Sequence, residues 1–269
     1  MNKDKFARRI LVVGAAAMIM STPVFAQSNG FGSGTLKLST GFDFSTGRYG
    51  DTVDTDITYI PFTAKYETLP WTFKATVPYI RIKGPGNVIG GGADGSIVVP
   101  GRGAAVQTNS GLGDVVASIA YELPTESDRA IYEIAGKVKF GTADEDEGLG
   151  TGEDDISMQF DAVTTRGNFT PFGTVGYKLV GDPPDIELDN VLYFSLGSGY
   201  RLNERRSVGL IYDYRESSSP TSDASQELVA YLSQRLQDPL SWLGYVSAGL
   251  SDSAPDVNIG MQWTYTRRP

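Results

Sequence analysis

The chain has 269 residues, with 32 acidic against 23 basic side chains, no cysteine and no histidine. The net charge of −9 lacks the basic footprint that nucleic-acid binding needs, and without cysteine there is neither a disulfide nor a thiolate metal site. The missing histidine removes the usual base of hydrolytic catalysis near neutral pH.

The N-terminus reads as a secretion signal. Lys3, Lys5, Arg8 and Arg9 outnumber Asp4, an apolar run follows from Ile10 to Met20, and Val24-Phe25-Ala26 closes the segment with small or compact residues. This order predicts a cleaved signal peptide over residues 1–26 and one mature domain over 27–269. The rival, an uncleaved anchor helix, is disfavoured because the run is well short of the ~20 residues a spanning helix needs. Four basic residues and one acidic residue leave with the signal, so 19 basic and 31 acidic side chains remain, a formal charge of −12.

From there the chain alternates with period two. In Leu36–Phe44 the even positions are apolar apart from Thr40, while Lys37, Ser39, Gly41 and Asp43 fill the odd ones. Such a strand has one oily wall and one polar wall. Ten more segments of this kind follow, near 56–66, 71–82, 113–123, 129–140, 155–163, 169–179, 191–202, 207–215, 226–236 and 242–250. Segment 226–236 also reads as helix. A last one, Val257–Tyr265, leaves Thr266-Arg-Arg-Pro269 as a short tail. Each is about the 9–11 residues that a tilted strand needs to cross a bilayer. The connections alternate as well: 45–55, 83–112, 141–154, 180–190, 216–225 and 251–256 are long, and those at 68–70, 124–128, 164–168, 203–206 and 237–240 are short. Short periplasmic turns and longer outer loops are the habit of outer-membrane barrels. The fold class predicted is therefore all-β, a closed antiparallel transmembrane β-barrel of about 12 strands; a soluble β-sandwich is the weaker alternative. The 32 Gly, 14 Tyr, 12 Phe and 3 Trp suit aromatic girdles around a polar lumen.

The inward face is where function is expected. Alternation assigns to it Lys37, Asp43, Lys65, Lys74, Asp114, Glu122, Glu133, Lys137, Lys139, Asp161, Lys178, Arg201, Asp213, Arg215 and Arg235. Lys or Arg at mid-depth on the lipid side would cost ~2–4 kcal/mol each. Mixed signs imply an internally paired channel of weak charge selectivity. Glu133 and Asp161 face the lumen on neighbouring strands, with 137 opposite 158 if loop 141–154 closes symmetrically; two adjacent carboxylates can share a proton, but such residues are more often a pore lining than a catalyst. The Gly-rich stretch through Gly84, Gly90–Gly92 and Gly101–Gly103 lacks the Gly-Lys-Ser/Thr ending of a phosphate loop. It reads as a long outer loop whose apolar piece, Ile97, Val98 and Val99, is a plug or gate candidate. Asp144–Glu147 with Glu153, Asp154 and Asp155 lacks EF-hand spacing and reads as a solvated loop. No cofactor and no metal site is expected.

Several stretches resemble a known family. Ser110-Gly-Leu-Gly-Asp114-Val-Val opens a strand, Lys137-Val-Lys-Phe-Gly-Thr142 runs on to Gly150-Thr-Gly152 and Asp154-Asp155, and Gly249-Leu-Ser-Asp-Ser-Ala-Pro-Asp256 forms a last loop. Across roughly residues 34–265 these resemble the MetA-pathway phenol-degradation family of outer-membrane transporters, with Phe-Gly-Thr where Pro-Thr-Gly is usual. The resemblance implies a twelve-stranded barrel that takes up small, in part aromatic, carbon sources. Its partners would be outer-membrane lipid, lipopolysaccharide and a small solute. The alternative is a non-conducting structural or adhesive barrel acting through its outer loops. Oligomeric state is left open.

Overall fold

A computed structural model gives the fold, and it describes residues 34–90, 95–99, 105–184 and 186–268. The predicted signal and the glycines at 91–92 and 101–103 lie outside these residues. Among the described residues fifteen strands are formed: β1 (Thr35–Gly47), β2 (Thr55–Thr68), β3 (Trp71–Gly84), β4 (Val88–Ile89), β5 (Ile97–Val98), β6 (Gln107–Leu112), β7 (Val115–Glu122), β8 (Ala130–Phe140), β9 (Asp155–Thr164), β10 (Phe169–Leu179), β11 (Val191–Arg201), β12 (Arg206–Arg215), β13 (Ser225–Gln237), β14 (Leu240–Gly249) and β15 (Val257–Arg267). All but β4 and β5 belong to one antiparallel sheet, which closes where β1 pairs with β15, as at Phe42↔Met261. β6 and β7 both pair with β3 and share one place in the wall, so the barrel has twelve strand positions. Closure pairs both edges of every described wall strand except β6, whose residues run on beyond the end of β8 and pair with β3 alone; paired edges are the condition for backbone to cross lipid.

The alternation reads directly as inside and outside. In β3, Phe73, Val77 and Tyr79 are exposed, while Thr76, Ile80 and Ile82 are buried. Met158, Leu196 and Leu210 are each more than half exposed on the outer wall. Their exposure is affordable only against hydrocarbon. Charges with outward parity, namely Asp56, Arg81, Lys83, Arg206 and Arg267, sit at strand ends. Aromatic side chains mark the rims, as in the edge-to-face contact of Trp71 and Tyr121 at 4.7 Å.

Three sequence expectations change in detail, and one ambiguity is resolved. The 83–112 connection is shorter, because Gln107–Leu112 continues the wall as β6. The strand then breaks at Gly113–Asp114, where one extra residue faces β3 and the Gly113 amide donates to the Pro78 carbonyl at 2.9 Å. The last strand runs on to Arg267, with Leu36 opposite Arg267. Segment 226–236 is the strand that its alternation predicts, and the helical reading falls away. Lys137 faces Ser157, not Met158, since a one-residue slip would set a lysine beside a lipid-facing side chain.

Candidate functional site

The lumen carries its charge in hydrogen-bonded rows. Lys37, Lys65 and Lys74 stand side by side on β1, β2 and β3, and Glu122, Glu133 and Asp161 do so on β7, β8 and β9. Barrel strands tilt, so each row runs obliquely around the wall. Like charges directly opposite each other repel, and opposite charges nearby offset this. Glu67 accepts from Lys37 at 2.8 Å and from Lys65 at 3.0 Å. Lys74 and Lys137 lie in Coulomb range of Asp161, whose Oδ1 also accepts from Thr174 at 2.5 Å. Tyr193 receives Lys137 Nζ over its ring, 5.8 Å from the centroid.

Nearer the long loops a second network closes the same wall. Lys139 donates to Asp114 at 3.1 Å and to Asp155 at 3.3 Å, and Lys178 lies 3.8 Å from the same Asp155 oxygen. Asp114 also accepts from the amides of Thr142 and Ala143, at 3.0 and 2.9 Å, which fastens loop 141–154 to the strand break.

Between the walls lies the hairpin of β4 and β5. Val88 pairs with Val98 and Ile89 with Ile97, so the two faces of the hairpin point opposite ways. One face, Val88 and Val98, packs on Ile57, Tyr59, Ile80 and Ile82 of β2 and β3. The other, Ile89 and Ile97, packs on Val180, Leu188 and Val191 next to β10 and β11, with Val99 partly buried beside them. These strand pairs stand almost opposite each other in a twelve-position ring, so the hairpin bridges the mouth. Asn87, fully buried, anchors it: its side chain accepts from Thr55 at 3.0 Å and donates to the Arg48 carbonyl at 3.2 Å, and its carbonyl accepts from Val99. Tyr49 packs against the same face, and burial pushes its hydroxyl well above the ordinary tyrosine value, so it stays a donor to Ser45.

On one side of the hairpin a cavity of about 30 Å³ adjoins the Lys139–Asp155 network. On the other, a cavity of about 130 Å³ opens towards β12–β15 and β1.

A family model described as "Putative MetA-pathway of phenol degradation" matches residues 27–236. The chain belongs to that family. No curated protein matches it in sequence. Among solved structures it is similar to the COG4313 outer membrane channel from Pseudomonas putida F1, with a TM-score of 0.64 at 12% identity over 89% of this chain and 97% of that one. It is also similar to the KdgM porin, with a TM-score of 0.50 at 8% identity over 85% and 98% of the two chains. At such identities the likeness concerns the fold, and both neighbours are outer-membrane channels or porins. With its lipid-facing outer wall, this member of the family is an outer-membrane protein.

The positions singled out from sequence fall in several places. Lys37, Lys74, Glu133, Lys137, Asp161 and Asp213 point inward from within their strands, Arg215 does so from the end of β12, and Lys139 and Lys178 join Asp155 in the upper network. Asp114 sits at the strand break. Arg201 stands at the turn-side rim, where its guanidinium donates to the Gly167 carbonyl at 3.2 Å and to Asn168 at 3.0 Å. The acidic loop residues are dispersed: Asp155 is a lumen partner of lysines and Asp154 accepts from the Gly141 amide at 2.8 Å. Alternation missed Glu67 and Glu227 as inward carboxylates, and it gave no sign of the inward tyrosines. Tyr193, Tyr231 and Tyr245 each lie over a glycine on the neighbouring strand, where a Cβ at Gly176, Gly209 or Gly260 would fall 2.3 Å from the ring. The signal available was the pairing of wide and absent side chains in register, Gly209↔Tyr231 and Tyr245↔Gly260.

Proposed function

We propose that the protein is a channel for passive uptake of small organic solutes, aromatic ones among them, with the β4–β5 hairpin as its gate. The observation that carries this reading is the hairpin itself: it rests by two small apolar faces on opposite walls whose remaining surface is polar and charged. An apolar contact of this kind releases without leaving buried charges unpaired, whereas the ion networks of the wall stay intact. Nothing in such a movement needs an energy source beyond a concentration gradient. The inward Lys and carboxylate rows, Lys37, Lys65 and Lys74 with Glu122, Glu133 and Asp161, would set a narrow, weakly selective path beneath the gate.

The bridging hairpin also favours a second reading, a closed barrel that acts through its loops. Single-channel recording of the barrel in a planar bilayer separates the two. The channel reading expects small discrete steps, larger steps when residues 88–98 are replaced by a short Gly-Ser linker, and block by added aromatic solutes. Silence from both proteins, each folded by heat-modifiable gel mobility, would leave the closed barrel.

A further inference from the structure

The larger chamber beside the hairpin has a chemistry of its own. Asp213 on β12 and Glu227 on β13 are directly opposite each other and both point inward. Asp43 on β1 joins them on the same cavity wall. Among the described residues no lysine or arginine nitrogen forms a salt bridge with any of these three carboxylates, in contrast to Glu67, Asp114 and Asp155. Two of them are held by neutral donors instead: Tyr245 donates its hydroxyl to Asp43, and Ser247 donates to Glu227 at 2.7 Å. Asp213 is 6% exposed, yet its Oδ1 has no hydrogen-bond partner; Gln262 is 3% exposed with both amide atoms unpartnered, and Asn258 Oδ1 is also unpartnered. Buried polar atoms are almost always satisfied, so unpartnered ones that line one cavity mark the place of a missing partner.

Two cations border the chamber, and neither forms a salt bridge with its three carboxylates; Arg215, two residues along β12 from Asp213, acts on it at longer range and keeps its own buried Nε without a hydrogen-bond partner. Lys178 lies against Asp155. The Arg215 guanidinium presses on the hairpin, so close to Gly95 that a Cβ there would fall 1.4 Å from Nη1; Gly95 also holds a φ of +84°. A ligand for this wall therefore brings positive charge and hydrogen-bond donors. Among the described residues no group of three acidic side chains converges tightly enough to hold a metal ion, so the charge must be spread on a body that spans the site. The chamber, at about 130 Å³, is close to the ~150 Å³ of an engineered apolar cavity that admits benzene, and Tyr49, Tyr59 and Tyr245 are among the residues that line it.

We infer that this chamber is a binding site for a small organic ammonium ion, its charged end between Asp213, Glu227 and Asp43 and its apolar end towards the tyrosines. The inference deepens the channel reading by naming a solute class, and binding in solution tests it apart from conduction. The experiment titrates the intact barrel in an uncharged detergent with benzylamine, benzyl alcohol and benzoate at neutral pH by calorimetry. Benzylamine, protonated there, is expected to bind saturably and at least tenfold more tightly than either of the others. Asp213→Asn and Glu227→Gln are each expected to weaken it about tenfold, while Asp128→Asn in a periplasmic turn leaves it unchanged. Equal binding of the three probes, no saturable binding of benzylamine, or folded Asn and Gln variants with unchanged affinity would overturn the site. The comparison of probes on the unaltered protein decides the matter even if a variant does not fold. Benzylamine binding to a barrel that is silent in a bilayer keeps the site and removes the channel; a conducting barrel indifferent to the three probes does the reverse.

Discussion

At the scale of single residues, the inner wall is organised by side chains that lie flat on glycines. Tyr245 crosses Gly260 to reach Asp43, and the approach is possible only because position 260 has no Cβ. Gly260→Ala is expected to push the ring off the wall, break that bond and cost about 1–3 kcal/mol, the range for overfilling a packed site. Urea unfolding in micelles, followed by tyrosine and tryptophan fluorescence, measures it. Asp155 is a different kind of joint, since it is shared by Lys139 and Lys178 and buried with them. Removing one partner strands the others, so Asp155→Ala is expected to cost about 3 kcal/mol in the same assay. Lys139 and Lys178 were legible from alternation, because a charge on a two-faced strand has one affordable side. Glu227 was not, because its segment satisfied both a helical and an alternating pattern until a neighbouring strand selected one.

At the scale of elements, strand number and approximate bounds were readable, since each strand must repeat polar and apolar residues long enough to cross the lipid. A charge forced onto the outer wall tests the assignment. Leu196, midway along β11 and largely exposed, is expected to destabilise the barrel by about 2–4 kcal/mol on replacement by Arg, read from the same unfolding curves. The hairpin was legible only as an apolar patch in a loop. What makes it an element is Asn87, whose side chain reaches Thr55 and Arg48, about thirty to forty residues back in the chain. Asn87→Ala removes these bonds and leaves Thr55 without its acceptor. It is expected to loosen the hairpin and raise the mean bilayer conductance severalfold, while barrel stability falls by about 1–3 kcal/mol. An unchanged conductance in the folded variant would show that the hairpin does not gate.

At the scale of the whole molecule, the arcs of the wall differ. The arc from β1 to β3 carries a lysine row, the arc from β7 to β9 a carboxylate row, and the chamber beside β12, β13 and β1 carries acids that form no salt bridge among the described residues. Replacing Lys37, Lys65 and Lys74 together by Gln is expected to shift the reversal potential in a salt gradient towards cation selectivity. An unmoved potential would mean that the row lies off the conduction path.

Period-two alternation and the long–short rhythm of the connections were enough to determine a closed barrel and the face of most charged residues. Those properties follow from the solvent on either side of a strand, and each strand records them in its own residues. Only the tertiary structure decided which carboxylate meets which lysine, that a hairpin bridges the mouth, and that Asp43, Asp213 and Glu227 share a chamber. These depend on the register of strands far apart in the chain and on where a loop comes to rest. Local alternation carries no record of either, because every register that keeps polar residues inside satisfies it equally.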